Sequence, residues 1–281
     1  MLIDTHCHIN MMIKKEFDIP LTESELPLAT TITQEANAEN VSIIINVGTR
    51  RVENENCILL AQKFPNIFAT VGIHPNDSDE WQNDLKAMKS AVAKAKAEKH
   101  INKIVGIGEC GMDRHYPDHN LNRQRDAFKA QIELALENDL ALVIHSRDAY
   151  DETLTILEEY KNNINRAVMH CFSYDQTFAE IATSWNFMLG IGGTSTYPKN
   201  NELRDIVEHV NIKHIVLETD APFLPVQTMR GKQNHPKYIK NIAEYIAQLR
   251  GESFEYIAAE TTKNAFKLFK LEKHNEQNKY F

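Results

Sequence analysis

The stretch MLIDTHCHI, residues 1–9, sets His6 and His8 two positions apart directly behind a short apolar run. On a β-strand that spacing sends both rings to one face, within reach of a single metal ion. Four later stretches repeat the arrangement. Glu109 stands in GIGECGMD, His145 in LVIHSRD, His170 in VMHCFS and Asp220 in VLETDAPF, each behind residues rich in Val, Ile, Leu or Met. A strand that carries a ligand near its carboxyl end aims it into the mouth shared with its neighbours, so five such strands imply one converging site.

Eight strands are expected: 2–6, 41–48, 67–74, 104–111, 141–147, 166–172, 187–193 and 214–220. Each is largely apolar, as parallel strands covered on both faces are. Between them lie helical stripes, such as Phe128, Ile132 and Leu136, or Leu203, Ile206, Val207 and Val210. Two further helices follow the last strand, one through Ile239, Ile242, Ala243 and Ile246, the next through Ile257, Ala265 and Phe269 with Ser253 as N-cap. Repeated strand-then-helix units cross over right-handedly and favour an α/β fold closed as a TIM (β/α)8 barrel. An open doubly wound sheet would spread the ligands along a line, whereas a barrel gathers them around a ring. No linker or repeat divides the chain, so residues 1–272 are expected to form one hydrolase domain and 273–281 a polar tail.

Residues 10–31 are the least regular part and leave from the ligand-bearing end of the first strand. They are expected to form a loop, either solvated or a partial lid, with Met11, Met12 or Phe17 offering a face to an unstacked base. The four cysteines, Cys7, Cys57, Cys110 and Cys171, show no CxxC spacing and are expected as reduced, buried core residues. In particular, strand alternation would turn Cys171 away from the mouth if His170 faces it. The net charge of −8 disfavours broad coating of nucleic acid. It leaves room for a phosphate-cleaving site whose metal ions make a local positive field. With no membrane-spanning run and no space for a signal peptide before the first motif, a cytoplasmic enzyme is expected, without a membrane or an obligate protein partner.

Four imidazoles and two carboxylates exceed the needs of one tetrahedral ion, which points to two ions with a shared bridge, best supplied by Glu109. Their charge suits a phosphate anion better than a neutral amide. Histidine-rich ligation suits zinc, manganese or nickel.

The ordered set THCH, VGIHP, GECGMD, VIHSRDA, MHCFS, ETDAPFL and RGK resembles the TatD family of metal-dependent deoxyribonucleases, within the amidohydrolase-like TIM barrels, over nearly the whole chain. The resemblance implies a nuclease that trims DNA ends, with DNA or RNA as substrate and magnesium, manganese or zinc as the divalent ions. It implies one ion held by His6, His8, Glu109 and Asp220 and a second by Glu109, His145 and His170. Asp220 would also orient or deprotonate the attacking water, making it and Glu109 the catalytic pair. His74, Ser146, Arg147, Ser173, Arg230 and Lys232 are implied as contacts to substrate phosphate, although Arg147 could instead pair with Asp148. The chain departs from the family's pattern in RGKQNHP, where Gln233 and His235 stand in place of a basic and an acidic residue, and in the length of the loop after the first strand. Two other readings are an amidohydrolase or lactonase acting on a neutral carbonyl, and a non-catalytic nucleic-acid-binding barrel. Related amidohydrolases often bridge their metals with a carbamylated lysine, whereas Glu109 is expected to end the fourth strand here.

Overall fold

The computed structural model describes residues 1–98 and 103–271, so the expected tail lies outside the described residues. Eight parallel strands follow one another around a sheet in chain order: β1 (Leu2–Cys7), β2 (Val41–Val47), β3 (Ile67–Val71), β4 (Ile104–Asp113), β5 (Ala141–Arg147), β6 (Ala167–Met169), β7 (Met188–Ile191) and β8 (Ile215–Leu217). The seam between β8 and β1 is joined by a parallel bridge between Cys7 and Ala221. There the Asp220 amide donates to the His6 carbonyl and the His8 amide to that of Ala221. A side chain helps close the same seam: the Asp4 carboxylate accepts from the His6 amide and from both the amide and the hydroxyl of Thr219. The expected barrel is the observed one.

The helices are α1 (Ile9–Lys14), α2 (Leu26–Ala38), α3 (Arg51–Lys63), α4 (Trp81–Ala97), α5 (Leu121–Asn138), α6 (Tyr150–Tyr160), α7 (Gln176–Ser184), α8 (Asn201–His209), α9 (Ile239–Arg250) and α10 (Phe254–Phe269). Ser253 caps α10 as expected, its hydroxyl accepting from the Tyr256 amide at 3.2 Å. Among the described residues no helix is long and apolar enough to cross a membrane.

One apolar cluster draws a side chain from every strand, among them Ile3, Ile43, Phe68, Val105, Val143, Val168, Met188 and Val216. In a closed sheet such a cluster can form only inside the barrel. Leu268 and Phe269 of α10 join it, and α10 is tied to places where strands begin: Thr262 donates to the Met1 carbonyl and Asn264 to that of Ile215. The barrel is therefore plugged at the strand amino ends, and its polar site lies at the other end.

The expectation of a loop over 10–31 is corrected. Ile9–Lys14 is helical, Glu23–Glu25 forms a 3-10 turn and Leu26 onward belongs to α2, with Pro27 in its first turn, where a missing N–H costs nothing. Met11 and Met12 are buried, so neither offers a surface, and only residues 15–22 lack a helix or strand. Strand ends also differ from expectation: β6 stops before His170, β8 before Asp220, and β4 continues four residues beyond Glu109, which therefore does not end it.

Candidate metal centre at the barrel mouth

Glu109 sits in the interior of β4 at a point where β3 runs close by. A β-carbon on Gly72 would overlap the Gly108 carbonyl carbon and the Glu109 amide, so only glycine permits that approach. The Glu109 side chain is buried, and its two oxygens face different partners. Oε1 lies 2.6 Å from His145 Nδ1 and 3.0 Å from His170 Nε2, while Oε2 lies 3.3 Å from His6 Nε2 and 3.8 Å from His8 Nε2. His6 and His8 also approach Asp220 Oδ1, at 3.6 and 3.4 Å. All six expected ligands are thus brought together, the four histidines around the Glu109 carboxylate and Asp220 against two of them.

Hydrogen bonding fixes which ring nitrogens are free. His8 Nδ1 donates to the Val47 carbonyl at 2.9 Å, leaving the Nε2 lone pair turned toward His6 Nε2, 3.2 Å away. His145 Nε2 stands 3.1 Å from the Asp113 carboxylate, which can only accept, so its Nδ1 lone pair faces Glu109. Lone pairs this close need a positive charge between them. Protons can supply it, and the carboxylates accordingly raise the pKa of His8 and His145 against the opposing effect of burial. Burial likewise disfavours the Glu109 anion, yet His170, His145 and His6 outweigh it and hold that carboxyl well below the usual range.

A divalent ion fits the same place. Four atoms coordinating one ion at about 2.1 Å stand about 3.4 Å apart in a tetrahedron. Five of the six separations among His6 Nε2, His8 Nε2, Asp220 Oδ1 and Glu109 Oε2 run from 3.2 to 3.8 Å. His6, His8 and Asp220 form one group able to hold a metal, and His6, Glu109 and His170 another. His6 stacks on His170 with ring centroids 3.8 Å apart, so the two groups adjoin.

Whole-chain comparisons give the family. The model of the family described as TatD-related DNase matches residues 3–270. The chain belongs to this TatD family. It is 35% identical to the uncharacterised metal-dependent hydrolase YabD of Bacillus subtilis over 96% of this chain and 100% of that protein. It is 31% identical to the 3'-5' ssDNA/RNA exonuclease TatD of Pectobacterium carotovorum over 84% and 91% of the two chains. The crystal structure of the TatD homologue YjjV from Escherichia coli superposes with a TM-score of 0.83 at 28% identity, covering 96% of this chain and 98% of that one.

In this TatD-family chain the residues expected at phosphate divide by position. His74, Ser146, Arg147 and Ser173 line a cavity of about 720 Å³ above the centre, whereas Arg230 and Lys232 are not part of its wall. The Arg230 guanidinium instead lies over the Tyr197 ring, 4.7 Å from its centroid. Ser146 is already engaged by Thr153 and Tyr174, at 2.6 and 2.8 Å. Arg147 is exposed and does not pair with Asp148, which faces His115 instead. His74 is close enough to Glu109 and His145 to complete a third metal-capable group. Its Nδ1, however, accepts the Asn76 amide at 3.1 Å, which leaves the proton on Nε2, 3.7 Å from Glu109 Oε1. Burial and the neighbouring His145 push its pKa down to about 3, so His74 presents a neutral N–H donor rather than a ligand lone pair. Of the two departures in RGKQNHP, His235 caps a 3-10 turn by accepting the Lys237 amide and stands 3.6 Å from Glu35, while Gln233 is exposed.

Cys7, Cys57 and Cys110 are buried as expected, but Cys171 is not turned away from the mouth. The chain leaves β6 before it, Cys171 takes a left-handed conformation with φ of 46°, and its side chain lines the cavity. Two carboxylates behind the histidines escaped the sequence reading. Asp113 supports His145, and Glu218 stands 3.4 Å from His170 Nδ1 while accepting the Cys171 amide at 2.5 Å. Asp113 shares parity with Glu109 on one strand, and Glu218 with Asp220 on one run, which is the signal that could have found them. Gly190 makes room for the second: a β-carbon there would overlap the Glu218 carboxylate.

Proposed function

We propose that this TatD-type hydrolase removes nucleotides from the ends of DNA or RNA single strands, with residues 1–272 acting as one catalytic unit. Two divalent ions, magnesium, manganese or zinc, would be held by His6, His8, Glu109 and Asp220 and by Glu109, His145 and His170. The observation that carries the reading is the division of Glu109, with one oxygen toward each group of imidazoles. The ions would supply Lewis acidity toward phosphoryl oxygens and lower the pKa of water at the site.

The chain's own groups supply the remainder. Asp220, with Oδ1 turned to His6 and His8 at one side of the mouth, is placed to orient the attacking water and receive its proton. His74 donates its Nε2–H toward the phosphoryl oxygens as charge builds on them, and stays neutral throughout the physiological range. Arg147 and Ser173, exposed on the cavity wall, would hold the adjoining phosphate. Asp113 and Glu218 hold the rings of His145 and His170 in fixed orientations. A neutral amide or lactone would make little use of this anion-receptive mouth, and no lysine stands at the Glu109 position to be carbamylated.

The test is digestion of end-labelled single-stranded DNA, duplex DNA and single-stranded RNA after chelation and after return of magnesium, manganese or zinc. Activity should vanish with chelation and return as a ladder shortening from one end, the 3' end by analogy with the exonuclease relatives. Hydrolysis of amides or lactones with no cutting of nucleic acid under any ion would overturn the reading.

A further inference from the structure

The cavity has a floor of imidazoles and carboxylates, but its rim is of another chemistry. Seven large hydrophobic side chains stand exposed among the described residues, and four of them, Phe17, Tyr116, Phe223 and Leu224, line this one cavity. They come from three separate segments, after α1, β4 and β8. Phosphate has no use for apolar surface. The flat, weakly polar group that a nucleic acid carries beside each phosphate is the base.

Phe17 is the most deliberately placed of the four. Its segment has no helix or strand, yet it is fastened to α3: the Asp18 amide donates to Glu53 at 2.8 Å, the Leu21 amide to Asn56 at 2.7 Å, and Asn56 returns a bond to the Ile19 carbonyl. Arg50 completes the fastening by pairing with both Asp18 and Asp77. Its guanidinium carbon lies 5.1 Å from the Phe17 ring centroid, a cation–π contact, while Phe17 remains 45% exposed. Three carboxylates, those of Asp18, Glu53 and Asp77, face this one guanidinium, so Arg50 is not available to a substrate phosphate. Phe223 stands nearer the reacting centre, edge-on to His8 with centroids 6.1 Å apart.

We infer that this rim is a nucleobase subsite in which Phe17, held on Arg50, is the platform for an unstacked base while the neighbouring phosphate lies over Glu109. The inference rests on the nuclease reading and adds the reason for a single-strand preference: a paired base has its faces covered within the duplex, and a frayed or single-stranded one does not. Stacking of this kind tolerates every base, so the subsite selects strandedness rather than sequence.

The experiment compares two oligonucleotides in manganese, one ordinary and one with abasic residues at both ends that keeps every phosphate. Phe17→Ala should lower the ratio of kcat/KM for the base-ended to the abasic-ended strand by about ten-fold, and Phe17→Tyr should restore it. A 2-aminopurine placed at the terminus should lose emission on binding the wild type and keep it with Phe17→Ala. Metal content and Tm of each variant are measured in parallel. Equal loss on both strands, with unchanged 2-aminopurine emission, overturns the subsite and leaves the nuclease reading standing. Failure of the metal-loaded wild type to cut either strand overturns both together.

Discussion

Where the strands begin, the barrel lumen is filled by Val105, Val168 and Val216 beneath Phe269 and Leu268; where they end, the same sheet presents four histidines and two carboxylates. The first end is apolar and closed by a helix. The second is polar, open to a cavity, and built from irregular backbone: β6 and β8 stop early, and Cys171 and Asp220 both take left-handed conformations. The difference teaches a division of labour. Burying His6 and Glu109 without bulk water is costly, because each loses hydration that only a partner or an ion can replace. The apolar end supplies the stability that lets the mouth keep groups suited to metal and substrate rather than to each other.

That division can be broken from the mouth side first. Glu109→Gln keeps the shape of the side chain but removes the charge facing both groups of imidazoles. Turnover of a single-stranded oligonucleotide should fall by about a thousand-fold or more, equivalent to about 4 kcal/mol. Metal analysis should show the loss of at least one ion, and circular dichroism an intact fold. Full metal occupancy with near-normal activity would mean that Glu109 bridges nothing.

From the other end the effect should be on stability alone. Phe269 is 2% exposed and joins the lumen cluster from α10. Phe269→Ala should cost about 3–5 kcal/mol of unfolding free energy through lost burial and the void left behind. Denaturant titration reads that loss, and metal affinity measured well below the transition should match the wild type. A parallel fall in metal affinity would show the two ends to be one cooperative device.

The two ends were not equally legible in the sequence. All eight strands could be read because each is covered on both faces and so appears as a largely apolar run, and the six ligands because they stand at or just past the apolar residues of those runs. The rest depended on long-range packing. Nothing in the spacing of Met11 and Met12 tells a short buried helix from a loop, and Cys171 escaped the alternation rule because the strand had already ended. Arg230 and Lys232 read as a phosphate-binding turn by their charge, but the side chain that Arg230 meets, Tyr197, is 33 residues away in sequence and could not be foreseen from it.

A smaller effect is expected one layer behind the ligands. Asp113 accepts from His145 Nε2, the His115 amide and Asn76, and so fixes the ring whose other nitrogen faces Glu109. Asp113→Asn should weaken metal binding by about 10–100-fold. The loss should be recoverable by excess metal, unlike that of Glu109→Gln. Titration of activity against manganese separates the two, because a shifted midpoint with an unchanged plateau marks a group that only positions its neighbour.

The smallest effect should come from the basic turn, which belongs to neither end of the lumen. Arg230 lies over Tyr197, whose hydroxyl donates to the Pro225 carbonyl at 2.8 Å, and neither Arg230 nor Lys232 lines the cavity. Any phosphate they meet must lie outside it, on a longer substrate. Arg230→Ala and Lys232→Ala should each raise KM for an oligonucleotide about two- to five-fold, in keeping with the roughly 0.2–1 kcal/mol of an exposed ion pair, and leave kcat and the cleavage of a small phosphodiester unchanged. The salt dependence of oligonucleotide binding should also become shallower by about one contact for each variant. Equal losses on the long and the short substrate would instead assign Arg230 to holding the loop against Tyr197, and the mouth would then bind its substrate entirely through the cavity wall.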